Sequence, residues 1–305
     1  MLKHTRLLRH LTITAGALLL ALPLCLGAVS TARAEGGLKP YLLTPVTGGS
    51  LDAVQQDVMQ RLAGAGFEVV GQHEGLSGVR VLAVTSAAQK TWAAQSTHGG
   101  FGAVLRLAIT QTPKGVEVSH VAPGWLAAAF RMQGHGEELA QRLTAALGAG
   151  TPFGSNMERS DSQVRSYVYT LFMPDFTDVE ELASYPTQQA ALNAVEAGLA
   201  AHAGGVSKVY RVDLPGKEES VFGVALGKGD GADSAVMAVV DGDNSPKHSA
   251  HLPYELLVSG GKVMTLHGKF RIAQSFPDLG MGTFMKISSA PDAIADALKA
   301  VAKGQ

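Results

Sequence analysis

Two histidines stand three apart in "SPKHSAHLP" (His248 and His251), and a third, His267, closes the run "VMTLHGKF". With the Met264 thioether between them, this is a composition that can bind metal, since imidazole is the commonest protein metal ligand and thioether suits soft ions. Spacing works against one shared site. If Gly260 and Gly261 form a two-residue hairpin turn, as Gly-Gly between alternating runs favours, Val258 faces Val263, Leu256 faces Thr265 and Tyr254 faces His267. Side chains on a strand alternate, so Met264 falls on the opposite side with Glu255, Leu257, Ser259, Lys262 and Leu266. Met264 and His267 then cannot hold one ion. His248 and His251 can do so only if their segment forms a turn.

An earlier run, "VEVSHV", places Val116, Val118 and His120 in step with Val263, Thr265 and His267. Two readings follow. Each histidine is partly buried and bonded to a neighbour, because an unpaired one in a core costs roughly 1–3 kcal/mol. Alternatively, His120 and His267 meet in one cleft and bind a metal or a non-covalent haem iron.

Other motifs are weaker. "GKGDGA" (227–232) fits G-x-G-x-x-A after a strand, but no parallel strand with a ribose-binding acid follows, and a glycine-rich surface turn is expected. "DGDNS" (241–245) spaces carboxylates as a calcium loop does, yet the twelfth position is Leu252 rather than Glu. There is no H-E-x-x-H and no G-x-S-x-G. Bulky residues follow each hairpin, in "GWLAAAF" and "KFRIAQSFPDLGMGTFM", where Trp125, Phe130, Phe270, Phe276, Phe284, Met281 and Met285 can seal an interface or line a pocket. Trp125, Arg131, Arg271 and Phe276 are the candidate ligand-binding residues, the two arginines suiting an anionic ligand.

The N-terminal stretch bounds the compartment. Lys3, Arg6 and Arg9 precede an apolar run from Leu11 to Leu26 and an A-x-A site at Ala32–Ala34, the pattern of a cleaved secretory signal over residues 1–34. Leu24 is too bulky for a lipoprotein site at Cys25, and the two arginines are not adjacent as a twin-arginine signal needs. No second apolar run approaches the roughly 20 residues that span a bilayer. A periplasmic or secreted protein is expected. Cleavage removes Cys25, the sole cysteine, which excludes disulfides, thiolate ligation and covalent c-type haem. It also removes four of the 25 basic residues and none of the 26 acidic ones, so the remaining chain is acidic, without a nucleic-acid footprint.

The elements that would position these residues occur twice. A polar, glycine-rich stretch (149–163) separates two segments, 38–148 and 164–303, and reads as a linker. The first segment has a strand at 41–46 and a helix carrying Leu51, Val54, Val58 and Leu62. Strands at 67–72 and 79–85 follow, then a short helix, a hairpin and a last helix with Leu139, Leu143 and Leu147. The second repeats the plan from a strand at "YVYTLFM" (167–173) to a closing helix with Ile294, Leu298 and Val301, which Ser289, Pro291 and Asp292 would start. The expected fold is α+β: two tandem two-layer α/β repeats, each β-α-β-β-α-β-β-α with a mixed or antiparallel sheet.

Each repeat resembles the domain of unknown function 302 family, a two-layer α/β domain that also occurs in tandem. The resemblance rests on the helix ending "GAGF" (64–67), on "LPYELLVSGGKV" (252–263) and on the closing amphipathic helix. It implies the fold and no catalytic residue. Function is therefore expected to be non-catalytic binding of a small ligand or an envelope protein, the alternative being a metal- or haem-binding protein that uses paired histidines.

Overall fold

Apolar residues at helical spacing and alternating strand runs dictate most of the elements found. The computed structural model describes residues 37–242 and 244–304; the expected signal, its cleavage site and Cys25 lie outside them. The first half runs β1 (Tyr41–Thr47), α1 (Leu51–Gly64), β2 (Glu68–His73), β3 (Val79–Thr85), α2 (Ala87–Ala94), β4 (Leu105–Thr112), β5 (Gly115–Val121), α3 (Pro123–Ala129) and α4 (Glu137–Leu147). Then come β6 (Thr151–Phe153) and α5 (Asp161–Arg165). The second half runs β7 (Val179–Ser184), α6 (Gln188–Ala200), β8 (Val206–Asp213), β9 (Glu219–Leu226), α7 (Asp233–Val240), β10 (Tyr254–Ser259), β11 (Lys262–Leu266), α8 (Gly268–Ala273), α9 (Met281–Lys286) and α10 (Ala290–Ala302).

Local chemistry sets the helix ends. Ser50 caps α1 by accepting from the Ala53 N–H, and Thr187 caps α6 by accepting from Ala190. α10 starts at Ala290 with Pro291 and Asp292 in its first turn, but the Ser289 hydroxyl donates to Asp230 instead of capping.

Both sheets are antiparallel, in the orders β2-β3-β4-β5-β1-β6 and β8-β9-β10-β11-β7. The chain is α+β. The two halves share a strand order and, apart from the extra helix α9 in the second, an element order, with β6 as an added strand in the first sheet. They share a bulge as well: β2 is irregular between Val69 and Gly71, β8 between Lys208 and Tyr210. Those two bulged edges lie against each other. A Cβ on Gly71 would stand 2.3 Å from the Val209 carbonyl oxygen, so no larger residue fits there.

Alternation along the central strands assigns the layers. On β4, Leu105, Leu107 and Ile109 belong to the core with Val54, Val58 and Leu62 of α1, whereas Arg106 and Thr110 reach Glu255 and Ser249 of the second half. On β10, Tyr254, Leu256 and Val258 join a core with Leu192 and Val195 of α6 and Ile294 and Leu298 of α10, while Glu255 and Leu257 face the first half. The sheets therefore meet at their inner faces and the long helices cover the outer ones.

Two expectations need correction. Tyr167–Met173 is not a strand: the Tyr167 and Tyr169 hydroxyls donate to the Ala273 and Leu279 carbonyls, and Leu171 and Phe172 are exposed. The strand equivalent to β1 is β7, whose Glu180 and Glu181 suit a sheet edge paired only with β11. The stretch 149–163 is no plain linker either, since β6 pairs with β1 and α5 carries a Ser160–Gln163 capping box.

The β10–β11 hairpin has the expected register, with Val258 opposite Val263 and Leu257 opposite Met264. His267 lies beyond the strand, at the N-cap of α8, and Tyr254 pairs instead with Val224 of β9.

Candidate functional site

The candidate site is a cleft of about 560 Å³ between the halves. One wall is β6 and the turn after it, with Phe153, Ser155 and Asn156; the other is the loop after α7, with Asn244 and His248, and the segment after α8, with Phe276 and Asp278. His248, a metal candidate by its spacing from His251, and Phe276, a ligand-binding candidate as one of the bulky residues after the hairpin, are brought together by the fold. Their rings stack at 5.0 Å and 22°, while Tyr41 and Phe153 close on the same imidazole at 5.0 and 5.6 Å.

Asp241 builds the loop that carries His248. Both of its carboxylate oxygens accept from the His248 backbone N–H at 3.0 Å, and Asn244 Nδ2 donates to Oδ1 at 3.1 Å. Burial pushes the Asp241 carboxyl up to about 6. Asp241 thus holds its own loop, the one whose carboxylate spacing matches a calcium loop, and Asp243, the second carboxylate, is outside the described residues. Burial draws the His248 imidazole down to about 4, so the ring is neutral near pH 7. Its Nδ1 is buried without a hydrogen-bond partner. Across the cleft, Asp278 accepts from Ser155 Oγ at 3.3 Å and from the Asn156 N–H, which ties the two walls.

Behind the aromatic floor lies a buried ionic network. Arg106 Nη1 pairs with Glu255 Oε1 and its Nε donates to the Ala250 carbonyl at 3.1 Å. Arg271 Nε donates to Glu255 Oε2 at 3.0 Å, its Nη1 to His251 Nδ1 at 2.9 Å and Ser275 Oγ at 3.1 Å, and its Nη2 to the Pro253 and His251 carbonyls. Burial lowers the Arg106 guanidinium and opposes that of Arg271, where the Glu255 carboxylate prevails and raises it. Burial and the two guanidiniums hold His251 well below its ordinary value.

This settles where each candidate sits. The segment of His248 and His251 does turn, at Ser249–His251, but both His251 ring nitrogens are engaged: Nδ1 accepts from Arg271 and Nε2 meets the Tyr254 hydroxyl at 3.1 Å. Arg271 is an internal ion-pair partner. Trp125 is buried, its Nε1 donating to Gln274 O and Oε1 at 3.1 Å, so it backs the network and does not line the cleft. Arg131 is elsewhere, donating to the Arg165 carbonyl and to Asp175 at 2.7 Å.

His120 and His267 have separate partners, each within its own half. The buried His120 ring bonds the Val121 carbonyl at 2.8 Å and stands beside Leu107, on the helix-covered face of its sheet. His267 Nδ1 accepts from the Lys269 N–H at 3.2 Å, with Glu180 at 3.5 Å, and is partly exposed. Among the described residues, no group of three or more His, Cys, Asp or Glu is arranged to hold a metal ion.

One functional-looking pair had no sequence signal. His73 of β2 and Asp233 at the start of α7 are both buried, with Nε2 2.6 Å from Oδ2. Because the Gly75 N–H donates to Nδ1 at 3.3 Å, the proton is on Nε2 and points to the carboxylate. The Leu226 N–H also donates to Oδ2, burial raises the Asp233 carboxyl, and its Oδ1 has no partner. With its second nitrogen on a backbone amide, His73 has no hydroxyl to activate. The neighbouring "GKGDGA" turn packs on α10, where a Cβ at Gly231 would stand 2.9 Å from the Ile294 nitrogen. Among the described residues no helix is long and apolar enough to cross a membrane. The chain matches no family model, no curated protein and no solved structure.

Proposed function

We propose that this is an exported, non-catalytic protein of two similar halves, each resembling the domain of unknown function 302 family, that binds a small polar ligand with a flat ring in the cleft between them. The observation that carries this reading is His248: a neutral imidazole with an unpartnered Nδ1, stacked on Phe276 in the wall of a 560 Å³ cavity. That volume lies within the roughly 300–1,000 Å³ of small-molecule sites, which combine an aromatic lining with a few placed polar groups. Phe153 and Phe276 offer stacking area, and Ser155, Asn244 and Asp278 offer hydrogen bonds around the rim.

The test is a thermal-shift screen of ring-bearing polar compounds on the whole protein, followed by calorimetry. Ligands that lose about tenfold in affinity in His248→Phe, which keeps the stacking and removes the nitrogens, support the reading. A screen without stabilising compounds, or binding indifferent to His248→Phe, overturns it.

A further inference from the structure

A second cleft, of about 580 Å³, lies wholly within the first half, between α2 and the start of α4. Its α2 wall is one helical face, Ala88, Thr91, Trp92 and Gln95, with Gln89 at the floor. The indole is fixed at both ends. Trp92 Nε1 donates to the Gln133 carbonyl at 2.5 Å, and the six-membered ring abuts Gly136, where a Cβ would stand 3.4 Å from Cη2 and 2.9 Å from the Pro123 carbonyl oxygen. With φ at +77°, position 136 suits glycine for a second reason.

Gln89 is only 3% exposed. Its Nε2 donates to the Gly102 carbonyl at 3.1 Å, which fixes the amide orientation, and its Oε1 is left buried without a donor. The cleft therefore holds an acceptor awaiting a donor. Its rim adds Glu138, 75% exposed, and Glu137, both in the first turn of α4. An anion is disfavoured there, because those carboxylates already answer the partial positive charge of the helix start. The one Lys or Arg on the rim, Arg142, is held by the Ala65 and Gly66 carbonyls, Ser86 Oγ and the face of Phe67, and it stands 3.9 Å from Glu138 in a loose, exposed pair that leaves the carboxylate open to solvent.

We infer that this cleft binds a small organic monocation, a primary ammonium on an apolar body, with the ammonium between the Trp92 ring, Gln89 Oε1 and Glu138 and the apolar body along α2. Cation–π attraction is strongest on indole, and an ammonium supplies the donor that Gln89 lacks. Glu138 is already shared with Arg142, so the rim can answer one added positive charge and not two, and a diamine binds more weakly than a monoamine.

The experiment follows the two indole N–H signals of the wild-type protein by NMR while cyclohexylammonium, cyclohexanol and hexane-1,6-diammonium are titrated in turn. The expected result is saturable movement of the Trp92 signal with cyclohexylammonium, at least about tenfold weaker binding of cyclohexanol, and weakening by Glu138→Gln, an exposed change that leaves the fold intact. The Trp125 indole, held by Gln274, stays in place. No movement at tens of millimolar amine, equal binding of the alcohol, tighter binding of the diamine, or a Glu138→Gln protein that binds as wild type would each overturn the inference.

Discussion

His73 and Asp233 sit 160 positions apart in sequence and 2.6 Å apart in space, and their contact fastens β2 of one half to the start of α7 in the other. Both groups are buried, so the hydrogen bond is protected from water and from salt. Replacing His73 with Leu removes the donor and strands the carboxylate with a single backbone N–H. A loss of about 3 kcal/mol in unfolding free energy is expected, measured by urea denaturation, with Asp233→Asn in the same background recovering part of it.

Glu255 serves two guanidiniums. Changing it to Gln leaves Arg106 and Arg271 buried without a counter-charge, which is expected to cost about 3–5 kcal/mol. Lys262→Ala, at the exposed pair with Glu181, is the control and is expected to change stability by less than about 0.5 kcal/mol. The same denaturation series reads both.

Acid should act through His248. Its folded pKa is lowered to about 4 from the ordinary 6.5, so the folded state takes up fewer protons than the unfolded one between those values. Its contribution is whole above pH 6.5 and is lost as pH falls toward 4. Asp241, raised to about 6, works the other way: the folded state favours its protonated form, and its penalty is relieved as pH falls through 6 toward 4. In His248→Phe the first effect is gone and the second remains, so stability relative to wild type rises from pH 7 to pH 4, by roughly 3 kcal/mol at most. Melting temperatures of the two proteins across that range give the difference, and parallel curves would exclude this role for His248.

Gly261 is expected to accept no side chain. A Cβ there would stand 2.0 Å from the Tyr185 carbonyl oxygen, at the turn where the Tyr185 N–H donates to the Gly261 carbonyl. Gly261→Ala must displace that backbone, with an expected loss of about 2 kcal/mol. Gly260→Asn, at φ +56° and with open space, is expected to cost well under 1 kcal/mol.

Much of the fold was legible because its signals are local. The Gly260–Gly261 turn and the alternation around it gave the β10–β11 register and the faces of Leu256, Leu257, Val263 and Met264 correctly. β7 was missed because "VEELAS" carries two adjacent carboxylates and only two strongly apolar residues, Val179 and Leu182, while the aromatic "YVYTLFM" nearby has the higher strand propensity. Its tyrosines anchor a loop instead. In the candidate site, His248 and Phe276 were visible as residue types near a hairpin, but their shared cleft was not. Arg106, Glu255, His73 and Asp233 were invisible for the same reason: their partners are set by how the sheets pack, which no spacing within one segment records.

The contact between Gly71 and Val209 bears on how the folded molecule meets others of its kind. Each sheet has one edge strand turned toward the other sheet, so β2 and β8 shield one another from a strand arriving out of solution. Among the described residues two sheet edges stay open. β6 is three residues long with Pro152 at its centre, and β7 presents consecutive glutamates. Both are poor templates for an added strand, which guards the folded molecule against clumping at high concentration.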